Sequence, residues 1–204
     1  MDKILVADGN ETTVDLISKL LTNSDYEVYT ANTGKVALAK IDMLKPDLII
    51  VDADFSDVSG FDICKQLKGS TETNYIPILM LISVETKDVL LRCVHSGVDD
   101  YISKLFDGTI FIAKVKSLLR VKHLSDRIKS QYEELKEKNE VIDFQLKMAR
   151  RVQRSIIRKI DMTVMGTKIL SKYLPALEVG GDFYSVKELS DDKIGLIIGD
   201  VSGH

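Results

Sequence analysis

Tryptophan is absent from this 204-residue chain, and proline occurs only three times. So few prolines exclude a proline-rich linker and leave long stretches in which nothing interrupts a helix. Cysteine occurs twice, at Cys64 and Cys93, with neither a CxxC pair nor Cys/His spacing. A disulfide framework and a structural zinc site are therefore not expected, and both residues read as small apolar side chains in a reducing compartment. No apolar run approaches the roughly 20 residues of a membrane span, and the opening MDKILVADGN lacks a signal-peptide pattern. Charge of one sign is lacking too: 28 Lys and Arg against 31 Asp and Glu give a net charge of -3. Nothing there favours nucleic acid or an anionic membrane as a partner. The expectation is a cytoplasmic protein of one or two domains, with 45% hydrophobic residues to build its core.

The most informative stretch is PDLIIVDADFSDVSGF, Pro46 to Phe61. Leu48 to Val51 form a continuous apolar run, which reads as a strand buried on both faces of a parallel sheet. Asp52 closes that run. An acid at the carboxyl end of such a strand lies where open α/β sheets hold their chemistry, although taken alone Asp52 reads equally well as a cap. Around it, strands are expected at residues 3–7, 27–30, 76–82 and around Tyr101 and Ile102. Helices are expected from Thr12 or Thr13 to about Leu21, and over 34–44, 60–67, 86–95 and 109–119, the fourth stopping at Gly97. Strand and helix alternate five times in about 120 residues, the pattern of a five-stranded, doubly wound parallel α/β sheet.

From Arg120 the period changes. Val121, Ile128, Leu135, Ile142, Ala149 and Ile156 recur every seven residues. Positions three further on are Leu124, Gln131, Lys138, Gln145, Val152 and Lys159, mostly polar. A seven-residue apolar repeat predicts a long helix in a left-handed coiled coil whose polar second seam makes the pairing weak. A solvated helix packed on its own domain is the alternative. Gly166 is expected to end the helical region, and strands are expected at 168–174, 181–187 and 194–199. Three strands without a helix do not close a core, so this tail reads as the opening of a further domain. The expected division is 1–120, 121–160 and 161–204.

The first 120 residues resemble the receiver domain of bacterial two-component response regulators, a flavodoxin-like fold. The resemblance implies that Asp52 accepts a phosphoryl group from a sensor histidine kinase, with Mg²⁺ bound beside it. Asp8 matches one of the N-terminal acids, Lys104 the lysine that pairs with phosphoryl oxygens, and Tyr101 the aromatic residue that reports activation. The Mg²⁺ site implied is Asp8, Asp52 and a backbone carbonyl near Asp54, with the Asp54 or Glu11 side chain as a partial substitute for a missing ligand. Four positions depart from the pattern. Gly9 replaces the second acid, Ile82 replaces a Thr or Ser (Ser83 is adjacent), Leu105 replaces a Pro, and Ser56 replaces another Pro. Losing an oxygen ligand is expected to weaken Mg²⁺ binding.

From Met148 onward, MARRVQRSIIRK followed by GGDFYSVKEL and GDVSGH resembles the entry to SpoIIE-type phosphatases of the metal-dependent (PPM) serine/threonine family. The resemblance covers a helix carrying AxxVQ and two acid motifs. It implies that Asp182, Asp200 and the Val201 carbonyl bind Mn²⁺ or Mg²⁺. Ser185 stands where another Asp is common. The family carries further ligand acids beyond the point where this sequence ends, so the chain as it stands is expected to be inactive as a phosphatase. GGDF also brings diguanylate cyclases to mind, but the second Glu is missing and GDVSGH has no place there. The reading is a response regulator whose receiver acts through a homodimeric coiled coil on a phosphatase, with a phosphoprotein such as an anti-anti-sigma factor as substrate. The alternative is a non-phosphorylated receiver and coiled coil serving as a dimerising scaffold.

Overall fold

The computed structural model describes residues 1–164, 166–175, 178–190 and 193–201. Its chain forms two compact units, Met1–Ser130 and Gln131–His204. In the first, β1 (Lys3–Ala7), β2 (Glu27–Ala31), β3 (Leu48–Asp52), β4 (Ile78–Ile82) and β5 (Asp100–Ser103) alternate with α1 (Glu11–Thr22), α2 (Gly34–Leu44), α3 (Gly60–Gly69) and α4 (Lys87–Ser96). A single helix, α5 (Gly108–Ile156), follows β5. All strand pairs in this sheet are parallel, in the order β2-β1-β3-β4-β5. This is the five-stranded, flavodoxin-like arrangement expected from the sequence.

Every residue of β3 and β4 is buried, as two-sided coverage by helices requires. Leu5, Ile49, Val51 and Met80 pack under α2, α3 and α4 through Ile41, Ile63 and Cys93. Ile4, Ile50, Leu79 and Leu81 face α1 and α5 through Ile17, Leu21, Phe111 and Val115. Alternate residues of one strand thus feed two separate cores. Both cysteines are buried, and burial pushes the Cys64 thiol up to about 11, consistent with inert core packing.

Several boundaries differ from the sequence expectation. The cap of α1 is Asn10, whose side chain accepts from the Thr13 N–H, rather than Thr12 or Thr13. Lys45 adopts the left-handed conformation that ends α2, one residue before Pro46. Gly97 ends α4 as anticipated, with φ 79°. The helix over 109–119 and the heptad segment are one helix, α5, capped by Asp107 through the Thr109 and Ile110 N–H groups. Beyond the sheet, α5 still packs on the first unit: Lys122 is buried, faces Asp126 and Asp47, and lies 5.0 Å from the Tyr75 ring centre. His123 meets Asp2 at 2.8 Å. Asp2, Asp47 and Tyr75 all precede strands, so this stretch of α5 is held at the amino edge of the sheet.

In the second unit α5 ends at Ile156 with no glycine or proline to stop it. Gly166 does not end a helix; it has φ 78° and lies between β6 (Asp161–Val164) and β7 (Thr167–Leu170), which pair antiparallel. The strand β6 was not expected, and β7 stops four residues short of Leu174. A second hairpin pairs β8 (Asp182–Ser190) with β9 (Lys193–Asp200). Ser202, Gly203 and His204 of the GDVSGH motif lie outside the described residues.

Gly60 is obligatory on steric grounds: a Cβ there would overlap the Asp52 carbonyl and lie 3.1 Å from the Ala53 Cα. At Gly9 a Cβ would meet only the Asn32 carbonyl oxygen, at an ordinary 3.7 Å. Gly60→Ala is therefore expected to cost about 3 kcal/mol, as forced overpacking does. Gly9→Ala should stay within about 0.5 kcal/mol. Urea unfolding of the two variants reads the difference directly.

Candidate functional site

Because the five strands run parallel, the residues that close β1, β3 and β5 gather at one edge. Asp8 follows β1, Asp52 ends β3 and Lys104 follows β5. Asp8 and Asp52 are 1% and 4% exposed. The Lys104 ammonium bridges them, 2.8 Å from Asp52 Oδ2 and 3.0 Å from Asp8 Oδ2. Asp52 Oδ1 accepts from the Asp54 N–H at 3.2 Å, and Asp8 Oδ1 accepts from the Asn10 N–H at 2.8 Å. Asp8 Oδ2 is buried and receives no hydrogen bond; its contact with Lys104 is an ion pair without hydrogen-bond alignment.

Burial raises the Asp52 pKa and the neighbouring Asp8 charge adds to this, while the hydrogen bonds from Lys104 and Asp54 hold it back. For Lys104, burial acts to lower the pKa, but contact with Asp52 and Asp8 outweighs it and the net shift is upward. The arrangement sets a carboxylate beside a held cation, the grouping that carboxylate attack on a phosphoryl group requires.

The remaining expected residues lie around this cluster. Asp54 is exposed, and its Oδ2 accepts from the Ser83 hydroxyl at 3.5 Å. Tyr101 is set apart from the acids: its hydroxyl donates to Glu85 Oε1 at 3.1 Å, and that bond raises its pKa. Ile82 is buried, so its side chain offers no hydroxyl, and Leu105 is 95% exposed. Glu85 and Ser83 both belong to the loop after β4 and carry no spacing signature of their own.

Asp57 is a further contributor that sequence reasoning did not single out. Its carboxylate accepts from the Lys35 and Gly34 N–H groups at 3.0 and 2.9 Å, capping α2 from another loop. These bonds lower its pKa. Gly34 has no room for a side chain, since a Cβ would come within 2.7 Å of the Val58 carbonyl oxygen. The loop after Asp52 is thereby fastened at both ends, by Gly60 at one and Gly34 at the other.

The response regulator receiver domain family matches residues 4–116. This chain belongs to that family. Its similarity to named proteins covers the same region. It is 33% identical to the response regulator PleD of Caulobacter vibrioides over 129 residues, 63% of this chain and 28% of that protein. It is 38% identical to the alkaline phosphatase synthesis transcriptional regulatory protein PhoP of Bacillus subtilis over 118 residues, 58% of this chain and 48% of that protein. The chain thus spans half or less of the length of these relatives. Among solved structures, a two-component response regulator from Clostridium difficile aligns with a TM-score of 0.55 at 29% identity, over 59% of this chain and 97% of that one. The receiver domain of a signal transduction histidine kinase from Syntrophus aciditrophicus aligns with a TM-score of 0.56 at 26% identity, over 59% and 91%. Residues 4–116 are a response regulator receiver domain, and receivers in general bind Mg²⁺ and interact with sensor kinases. No helix of the described residues is long and apolar enough to cross a membrane.

The donor set fits a divalent cation in part. Asp8 and Asp52 supply two carboxylates, one with a buried oxygen free of hydrogen bonds. Among the described residues no cluster of three acid, His or Cys ligands is assembled. Asp182 and Asp200 are direct cross-strand partners in the β8–β9 hairpin, with Val201 beyond, its N–H donating to the Gly181 carbonyl at 3.0 Å. Facing carboxylates on adjacent strands are roughly 4.5–5.5 Å apart at Cβ and repel unless a cation lies between them.

Two outcomes follow for the receiver cluster. Gly9→Asp fits the open space at that position and is expected to tighten Mg²⁺ binding about tenfold by adding a carboxylate, read by calorimetric titration. Asp52→Asn is expected to raise the melting temperature at pH 7. The native-state pKa of Asp52 lies above its unfolded value, so the folded state binds the extra proton and wild-type stability falls as pH rises through that interval. The advantage of the variant should shrink as pH is lowered toward the ordinary aspartate range.

Proposed function

We propose that Asp52 is the phosphoryl acceptor of this receiver. The observation that carries the proposal is the Lys104 ammonium shared between two buried carboxylates at the carboxyl edge of the sheet. In the reaction an Asp52 carboxylate oxygen forms the new P–O bond as the bond between phosphorus and the donor breaks, and Lys104 neutralises charge on the phosphoryl oxygens. Asp8, Asp52 and the Asp54 carbonyl would hold Mg²⁺, which supplies charge neutralisation for the transfer. Glu11 and the Asp54 side chain stand near enough in sequence to supplement the set.

The output we propose is a metal-dependent protein serine/threonine phosphatase, governed through α5 paired with a second copy. Five of the six heptad residues, Val121, Ile128, Leu135, Ile142 and Ile156, are 50 to 73% exposed on the single chain, which supports pairing of that stripe. The opposed acids Asp182 and Asp200 support a Mn²⁺ or Mg²⁺ site with the Val201 carbonyl. A phosphoprotein such as an anti-anti-sigma factor is the substrate class by resemblance, and a sensor histidine kinase the phosphoryl donor. A second reading, a non-phosphorylated receiver that serves as a dimerising scaffold, is favoured by Gly9 and by the buried Ile82.

One experiment separates these readings. The chain is incubated with acetyl phosphate and Mg²⁺ and weighed intact beside Asp52→Asn. A phosphoryl-sized mass gain that requires both Mg²⁺ and Asp52 is expected. A folded wild-type protein with no gain would leave the scaffold reading standing and remove the phosphorelay.

A further inference from the structure

The turn that leads into Asp182 is clasped by the last turns of α5. Gln153 uses both ends of its amide on one residue: its Oε1 accepts from the Gly180 N–H at 3.1 Å, and its Nε2 donates to the Gly180 carbonyl. Three residues earlier on the same helix face, Arg150 pairs with Glu178 at 2.6 Å. Gly180 is closed on its other side, where a Cβ would overlap the Tyr173 hydroxyl and lie 3.0 Å from the Pro175 Cβ. The next residue is as tightly held. A Cβ on Gly181 would stand 2.9 Å from Asp200 Oδ1 and 2.8 Å from the Val201 carbonyl oxygen. Only Gly181 then separates the clasped residue from Asp182, which faces Asp200 across the hairpin.

We propose that Gln153 is a positioning residue for the Asp182–Asp200 pair: its amide fork fixes Gly180, and through Gly181 it sets where the two carboxylates stand for a divalent cation. The proposal rests on the metal-site reading of those acids given above. A single hydrogen bond leaves a peptide free to swing about the bond, whereas a fork to both the N–H and the carbonyl of one residue fixes its orientation as well as its distance. Gln153 also sits beside Val152 and a turn from Ile156, both on the heptad seams and exposed. The two successive glycines of the turn answer to separate neighbours, Gly180 to Tyr173 and Pro175 and Gly181 to Asp200 and Val201.

The test uses the 204-residue chain, with amide hydrogen exchange and Mn²⁺ line broadening followed by NMR. In the wild type, Mn²⁺ is expected to broaden amides of residues 181–183 and 199–201, and Asp182→Asn should abolish this. Gln153→Ala is expected to lower the protection of the Gly180 amide at least tenfold and to raise the Mn²⁺ concentration needed for broadening about tenfold. Arg154→Ala, on the same helix, should change neither. Gln153→Glu should regain Gly180 protection only below about pH 4, where a protonated carboxyl carries both a donor and an acceptor. Unchanged protection or an unchanged Mn²⁺ midpoint in Gln153→Ala would overturn the positioning role while leaving the metal site intact. Broadening that persists in Asp182→Asn would remove the metal site, and the role assigned to Gln153 with it.

Discussion

Two carboxylates out of water beside one ammonium are the constraint to which the first unit is built. Isolated, each buried acid would be strongly destabilising, and a single lysine offsets both only if the three side chains converge. Parallel strands achieve that convergence. They all present their carboxyl ends on one edge, so Asp8, Asp52 and Lys104 meet although they are separated by 44 and 52 positions in the chain. The two apolar cores on either face of the sheet keep those strand ends in register, and the cluster inherits its precision from them.

Much of this was legible because buried parallel strands write themselves as unbroken apolar runs. LIIVD and ILMLI read as such strands in a chain with these helices between them, and the first of them carries Asp52 at its end. The cap of α1 was misassigned because Asn10, Thr12 and Thr13 are all competent caps, and only the backbone conformation decides among them. The end of α5 was misassigned for the opposite reason. Nothing in residues 157–165 breaks a helix, and the chain leaves it at Ile156 because the β6–β7 hairpin and the Ser171 hydroxyl, which accepts from the Ile160 N–H, claim those backbone groups. Local propensity does not record such competition.

The candidate sites divide along the same line. Residues placed by their position on a strand, such as Asp52 or Asp200, show in the sequence. Residues whose role comes from a partner far along the chain do not. Asp57 capping α2, Glu85 holding Tyr101 and Gln153 gripping Gly180 are each pairs formed by tertiary approach. Gln153 was visible as part of a motif, yet the motif did not say what its amide would touch.

The absence of a side chain at Gly60 has a mechanical consequence. With the first turn of α3 pressed directly against the Asp52 carbonyl, and the Gly60 N–H bonded to the Ala53 carbonyl at 3.2 Å, Asp52 and that helix share one backbone scaffold. There is no compressible layer between them. A load on the carboxylate that the side chain does not relieve by turning about its own bonds is thus passed to α3 through backbone contact.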